Sequence, residues 1–81
     1  MKCDCCGKRK CLFETYEDIN YQNTTLNICV KCSTLVYKIR DAIKENQLDK
    51  KNALVAELNK RMCKESSAFN NWLHSKILKS K

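Results

Sequence analysis

The spacing of apolar residues along the chain predicts a helix in its middle. From Ser33 onward, apolar positions recur at intervals of three and four, and charged residues fill the positions between them. We place Cys32 or Ser33 near the N-cap of this helix, where the amides of a helix start can donate to thiolate sulfur. The predicted buried face consists of Leu35, Val36, Ile39 and Ile43.

The segment before this helix has the pattern of a β-hairpin. Residues 12–16 and 24–28 are rich in strand-forming side chains, and residues 18–23 between them carry the Asn and Asp that are typical of turns. We predict that the two segments pair with each other. A third short strand near residues 19–21 is a further option.

Apolar residues continue at helical spacing after residue 45. The helix weakens at residues 46–49, where Asp49 can cap a second helix, and residues 66–67 can open a last one. Because the chain has no proline and its only glycine is Gly7, continuous helix from residue 33 to residue 80 is an alternative. The fold class is predicted to be α+β, a small hairpin followed by two or three helices. The apolar residues at intervals of seven in this part are Leu48, Val55, Met62 and Phe69.

The chain has 81 residues, which corresponds to a single small domain. So short a chain buries little apolar surface, and a bound metal or a partner subunit often supplies the missing stability. We divide it into a knuckle, hairpin and helix module at residues 1–45 and a helical extension at residues 46–81. The extension is expected to pack on the module or to form a dimer interface.

Cysteine spacing is the main chemical signal. Cys3 and Cys6 form one C-x-x-C pair and Cys29 and Cys32 form a second. This spacing lets both sulfurs of one turn reach a single ion at about 2.3 Å, and two such turns complete a tetrahedral shell. A shell of four thiolates leaves no position for water. We therefore predict one Zn²⁺ per chain, with a structural role.

Three cysteines lie outside these pairs. Cys5 or Cys11 can replace one N-terminal ligand, which is the competing assignment of the metal site. Cys63 lies among the basic residues of segment 60–64, which can lower a thiol pKa, but nothing nearby supplies a base. His74 is the only histidine, and no paired acids, phosphate-binding glycine loop or triad pattern accompanies it. We expect no enzyme activity.

The N-terminal residues carry no apolar run, so we expect no secretion signal. No stretch approaches the roughly 18 apolar residues that a membrane span needs. Seven cysteines without a secretion signal favour metal ligation over disulfides. The expected location is the cytoplasm, without a membrane partner.

The chain is basic, with a formal net charge of +7. Four thiolates around one divalent ion would reduce this to about +5. A phosphate-contacting surface is one interpretation, which makes nucleic acid a possible partner, and a solvated helix face is the other. Arginine, the usual reader of base edges, occurs only three times. The candidate nucleic-acid contacts are Lys8, Arg9 and Lys10.

The last predicted helix carries an apolar face. This face can pack on the first helix or across a homodimer, or it can bind a different protein with Trp72 as the anchor, since tryptophan is a frequent hot-spot residue. The candidate partner-binding residues are Phe69, Trp72, Leu73 and Ile77.

The run Cys3–Lys8, a hairpin, and then Ile28–Cys32 leading into a helix resemble a treble-clef zinc module. The pattern is similar to the zinc-binding domain at the N-terminus of the ClpX unfoldase, which has C-x-x-C-G-K, a hairpin and I-C-x-x-C before a helix. The resemblance covers about residues 3–45 and implies a module that dimerises and docks other proteins. A looser similarity is to the small zinc-bearing anti-sigma factors of spore-forming bacteria. Unfoldase activity is not implied, because residues 46–81 do not match that family and we expect no ATPase domain.

Together these features predict a non-catalytic zinc protein that regulates by binding another protein. The expected setting is the transcription or proteolysis machinery of a bacterium or phage. The alternative is direct nucleic-acid binding through the basic surface.

Overall fold

The computed structural model describes residues 2–78 and has the predicted α+β class. In this range a two-stranded antiparallel hairpin precedes three α-helices, and the last of them continues directly as a π-helical segment. The elements are β1 (Glu17–Tyr21), β2 (Thr24–Ile28), α1 (Val30–Lys44), α2 (Leu48–Arg61), α3 (Ser67–Trp72) and the π-helical segment Leu73–Ile77.

The hairpin turns over two residues with left-handed backbone. Gln22 and Asn23 have φ of 49° and 62°, and this pair of positive angles matches the right-handed twist of the flanking strands. Strand pairing runs from Glu17 opposite Ile28 to Tyr21 opposite Thr24. In β2 the alternation places Leu26 and Ile28 in the core.

The prediction of a strand at residues 12–16 was wrong, and the optional third strand is the real β1. Leu12 and Phe13 lie on an exposed turn, while Tyr16 is the only buried residue of that segment. Strand propensity reflects fit to a half-buried surface, and the alternation of Ile19 with polar neighbours matches the inward face of β2 better.

Helix α1 begins at Val30, earlier than predicted. Cys29 is its N-cap, and the N–H of Ser33 donates to the carbonyl of Cys29 at 2.9 Å. The second cysteine pair therefore belongs to the first turn of the helix rather than preceding it. The buried residues of α1 are Cys32, Ser33, Leu35, Val36, Ile39 and Ala42.

The predicted interruption after α1 is confirmed. Asn46 has a φ of 58°, and its N–H donates to the carbonyl of Ile43 at 3.1 Å. The N–H of Gln47 donates to the carbonyl of Ala42 at 2.8 Å, so the two bonds form a Schellman motif around a left-handed asparagine. The N-cap of α2 is Gln47, whereas Asp49, the predicted cap, lies in the first helical turn.

Residues on both sides of this break share one core. Leu58, Phe69 and Leu73 have no exposed surface and pack in the same cluster as residues of β2 and α1. The predicted heptad does not describe this packing, because Leu48 is 62% exposed and α2 ends at Arg61. The described helices contain none that is both long and apolar enough to cross a bilayer.

Two leucines of α2 provide a direct test of this core. Leu58→Ala should lower the free energy of unfolding by about 2–5 kcal/mol, because it leaves a cavity in a fully buried site. Leu48→Ala removes the same atoms from an exposed site and should change it by less than about 0.5 kcal/mol. Denaturant unfolding of both variants measures the difference, and equal effects would contradict the packing of α2.

Candidate metal centre

Four cysteine sulfurs converge at one point of the fold. The Sγ atoms of Cys3, Cys6, Cys29 and Cys32 all lie within 4.8 Å of one another. Three of the separations are 3.5 Å for Cys29 to Cys32, 3.7 Å for Cys3 to Cys32 and 3.8 Å for Cys6 to Cys29. A tetrahedral ion with bonds of about 2.3 Å separates its sulfurs by roughly 3.8 Å. The four thiols are therefore positioned to coordinate one metal ion.

Backbone hydrogen bonds build the N-terminal half of this centre. The N–H of Gly7 donates to the carbonyl of Cys3 at 2.9 Å, and the N–H of Cys3 donates to the carbonyl of Lys8 at 2.9 Å. Asp4 attaches the knuckle to β2, since its N–H donates to the carbonyl of Asn27 at 2.6 Å and its carboxylate accepts the Asn27 N–H at 2.7 Å. The knuckle is thereby held beside the point where β2 leads into α1.

Amide groups converge on the sulfur of Cys3. The N–H groups of Cys5 and Cys6 donate to it at 3.4 Å, and the N–H of Cys29 donates at 3.3 Å. Such donors stabilise a thiolate and orient it as a ligand. Gly7 has a φ of +76°, which a residue without Cβ adopts freely, so the turn that aims these amides favours glycine.

The surroundings disfavour four separate negative charges in the absence of a cation. Cys3, Cys29 and Cys32 are at most 2% exposed, and Cys6 is half-buried. Burial raises the pKa of Cys3, and it raises the pKa of Cys6 to about 12. Burial also acts to raise the pKa of Cys29, but hydrogen bonds from the Cys32 amide and from neighbouring thiols lower it to about 7. A divalent cation would supply the positive charge that these ligands need in their ionised form.

Cys5 is adjacent to the centre without being one of the four. Its side chain is fully buried, and its thiol, together with burial, raises the pKa of Cys32. Cys11 is exposed. The geometry thus brings together the four predicted ligands rather than the set in which Cys5 or Cys11 replaces one of them.

Arg61 is a residue of the centre that sequence reasoning missed. It ends α2, and hydrogen bonding to the thiol of Cys32 is the main cause of a raised Arg61 pKa. In the sequence Arg61 is only a basic neighbour of Cys63, and no local signal connects it with a cysteine pair so far away. Only the packing of α2 on α1 brings them together.

The other predicted site residues lie elsewhere. Phe69 and Leu73 are fully buried in the chain's own core, which favours the packing interpretation of that face for these two. Trp72 and Ile77 are half-buried and line a groove with Tyr37. The basic residues Lys8, Arg9 and Lys10 are exposed around the N-terminal knuckle.

Substitution of single cysteines tests the ligand set. Native mass spectrometry should find one metal ion per chain in the wild type and none in Cys29→Ser, because a serine hydroxyl does not replace a thiolate ligand. Cys11→Ser, at an exposed position outside the cluster, is the matched control and should keep the ion. Loss of the ion from Cys5→Ala but not from Cys6→Ser would contradict this assignment.

Acidification should release the metal. The thiols must lose protons to bind, and the raised pKa values of Cys3 and Cys6 make protons effective competitors. Binding therefore releases protons, so the apparent metal affinity should rise with pH and fall as pH decreases. Metal retention measured from pH 8 to pH 4 checks this, and an affinity that increases on acidification would have the wrong sign.

Comparisons with protein-family models, with curated proteins and with solved structures find no match to this chain. The resemblance to the ClpX-type domain therefore rests on the motif alone. The site's own geometry shows a small α+β protein with four cysteines placed to hold one metal ion.

Proposed function

We propose that this protein binds one structural Zn²⁺ and acts, without catalysis, by binding another protein. A set of four thiolates suits zinc, and it fills a tetrahedral shell without leaving a position for substrate. The ion would hold the knuckle against the start of α1. The binding surface must then lie on the outside of the fold.

A single observation carries the protein-binding part of this proposal. Leu12 and Phe13, which we call the apolar tip, are 85% and 94% exposed, and they are the two central residues of a turn that the N–H of Glu14 closes on the carbonyl of Cys11 at 3.2 Å. Isolated exposed apolar residues are common, but two large adjacent ones in the middle of a turn present a compact contact surface. The apolar tip is therefore the proposed contact with the partner.

The turn that presents the apolar tip is held by Glu14. Its carboxylate accepts the N–H of Cys11 at 2.8 Å and the ammonium of Lys8 at 2.6 Å. The hydrogen bond from Lys8 lowers the pKa of Glu14 to about 2, so this carboxylate is ionised at neutral pH. Tyr16 adds a bond from its hydroxyl to the carbonyl of Lys8 at 2.9 Å. A turn ordered in advance loses little conformational freedom on binding, which favours affinity.

The charge beside the apolar tip indicates the chemistry of the partner. Arg9 and Lys10 are exposed and form no ion pair within the described part of the chain, whereas Lys8 is paired with Glu14. An apolar pocket with an acidic rim would complement both the tip and these cations. The resemblance to zinc modules of transcription and proteolysis machinery suggests where such a partner would be found, in a reducing compartment such as the bacterial cytoplasm.

Nucleic-acid binding is the second candidate, and one observation favours it. Phe13 lies close in sequence to Arg9 and Lys10, and an exposed aromatic ring beside cations can stack on a base while the cations contact phosphates. Leu12 adds nothing to stacking. The pairing of Lys8 with Glu14 also leaves fewer free cations than the sequence indicates.

Affinity capture from a lysate of the source organism, treated with nuclease, tests the protein-binding function. The double variant Leu12→Ser/Phe13→Ser should lose the specifically captured protein, because the apolar contact is removed while the metal centre is untouched. Leu48→Ser, at a position that is 62% exposed on α2, is the matched control and should retain it. A third variant, Trp72→Ala, tests the half-buried groove. If only Trp72→Ala loses the captured protein, the groove rather than the apolar tip is the contact with the partner.

Titration of a single-stranded oligonucleotide tests the nucleic-acid candidate. Binding that weakens steeply with salt and is lost in Arg9→Ala/Lys10→Ala would establish nucleic acid as the partner and contradict the first proposal. Wild-type protein without salt-sensitive binding would leave the protein partner as the supported function.

A further inference from the structure

The end of α2 lies against the metal centre. Arg61 is the last residue of this helix, and its Nε is buried without a hydrogen-bond partner among residues 2–78. An unpaired buried donor is costly, and each such group in a folded protein calls for a physical explanation. Negative charge on the cysteine cluster would provide one, because it would attract the cationic side chain of Arg61.

Arg61 interacts with the cysteine cluster. Hydrogen bonding to the thiol of Cys32 is the main cause of a raised Arg61 pKa, and the thiols of Cys29 and Cys6 contribute as well. Four thiolates with one divalent ion would carry a net charge of about −2 in a largely buried place. A guanidinium at this position offsets part of that charge and offers N–H donors to sulfur.

The residues that follow Arg61 attach the same helix end to the N-terminal knuckle. The N–H of Cys63 donates to the carbonyl of Cys5 at 3.0 Å. A Cβ at Gly7 would lie 3.3 Å from the sulfur of Cys63, so the two segments are in close contact. Ser66 is the N-cap of α3 and is 5% exposed. Its hydroxyl donates a hydrogen bond to the carbonyl of Cys63 at 2.7 Å.

We propose that Arg61 is a positioning residue of the metal centre, and that through segment 61–63 metal binding is coupled to the docking of the C-terminal helices. The inference rests on the proposed metal site and adds to it a residue outside the ligand set. Because coupling free energies are reciprocal, an ion that is bound more tightly when α2 is docked also holds α2 in place. Metal removal should therefore loosen segment 61–66 as well as the knuckle.

The affinity test uses the full chain and Zn²⁺ alone, in competition with a chromophoric chelator at fixed pH. Arg61→Gln should bind Zn²⁺ about tenfold more weakly or worse, the usual effect of losing an outer partner of a metal ligand. Arg61→Lys keeps the charge and should recover part of that loss. Lys60→Gln removes the same charge from the neighbouring, exposed position and should stay within about twofold of wild type.

Hydrogen exchange of the zinc-loaded proteins gives the second readout. Backbone amides of segment 61–66 should exchange faster in Arg61→Gln than in Lys60→Gln, and faster still in the metal-free wild type. If Arg61→Gln does not fold, Zn²⁺ affinity and hydrogen exchange are both measured on Arg61→Lys, for which we expect an intermediate loss of Zn²⁺ affinity. Equal affinity and equal exchange in the Arg61 and Lys60 variants would overturn this inference while leaving the metal site intact. A wild-type chain that binds no Zn²⁺ would overturn the metal site and this inference with it.

Discussion

The convergence of four sulfurs is the constraint on which the rest of the structure depends. The sulfurs come from the N-terminal knuckle, from the residue after β2 and from the first turn of α1, so their convergence joins these three parts of the chain. Three of the four thiols are almost completely buried. The amides that donate to the sulfur of Cys3, together with Arg61 near Cys32, would stabilise negative charge on the thiolates, and a bound cation would neutralise most of the remainder.

This constraint explains how so short a chain forms one core. The knuckle is attached to β2 through Asp4 and Asn27, and the helix that follows starts within the cysteine cluster. Leu58, Phe69 and Leu73 then close the other side of the same core. Segment 61–63 of the second half reaches the cysteine cluster, through Arg61 and through the hydrogen bond from the N–H of Cys63 to the carbonyl of Cys5. The proposed coupling would extend the effect of metal loss to helices that contribute no ligand.

The inside and the outside of the molecule have different roles in the proposed function. The metal centre faces inward, and its four donors suit a structural ion rather than a reactive one. The apolar tip faces outward on a turn that Glu14 and Tyr16 hold in shape. That turn is connected to the knuckle through Lys8, because the side chain of Lys8 pairs with Glu14 and its carbonyl accepts the N–H of Cys3. A structural metal can thus support a binding surface that it does not touch.

The sequence by itself determined the features that depend on local spacing. The two C-x-x-C pairs indicated which four sulfurs converge. The two thiols of each pair lie on one turn, so local spacing alone lets them bind the same ion. The sequence also favoured a break at residues 46–49 and left a continuous helix as the alternative, and the left-handed Asn46 makes that break. Only the tertiary structure decided which strand-like segment pairs with β2, since that choice depends on the inward face of the partner strand and leaves Leu12 and Phe13 exposed. It also decided that Phe69 and Leu73 are core residues and that Arg61 reaches the cysteines, because helix packing joins positions that are far apart in the chain.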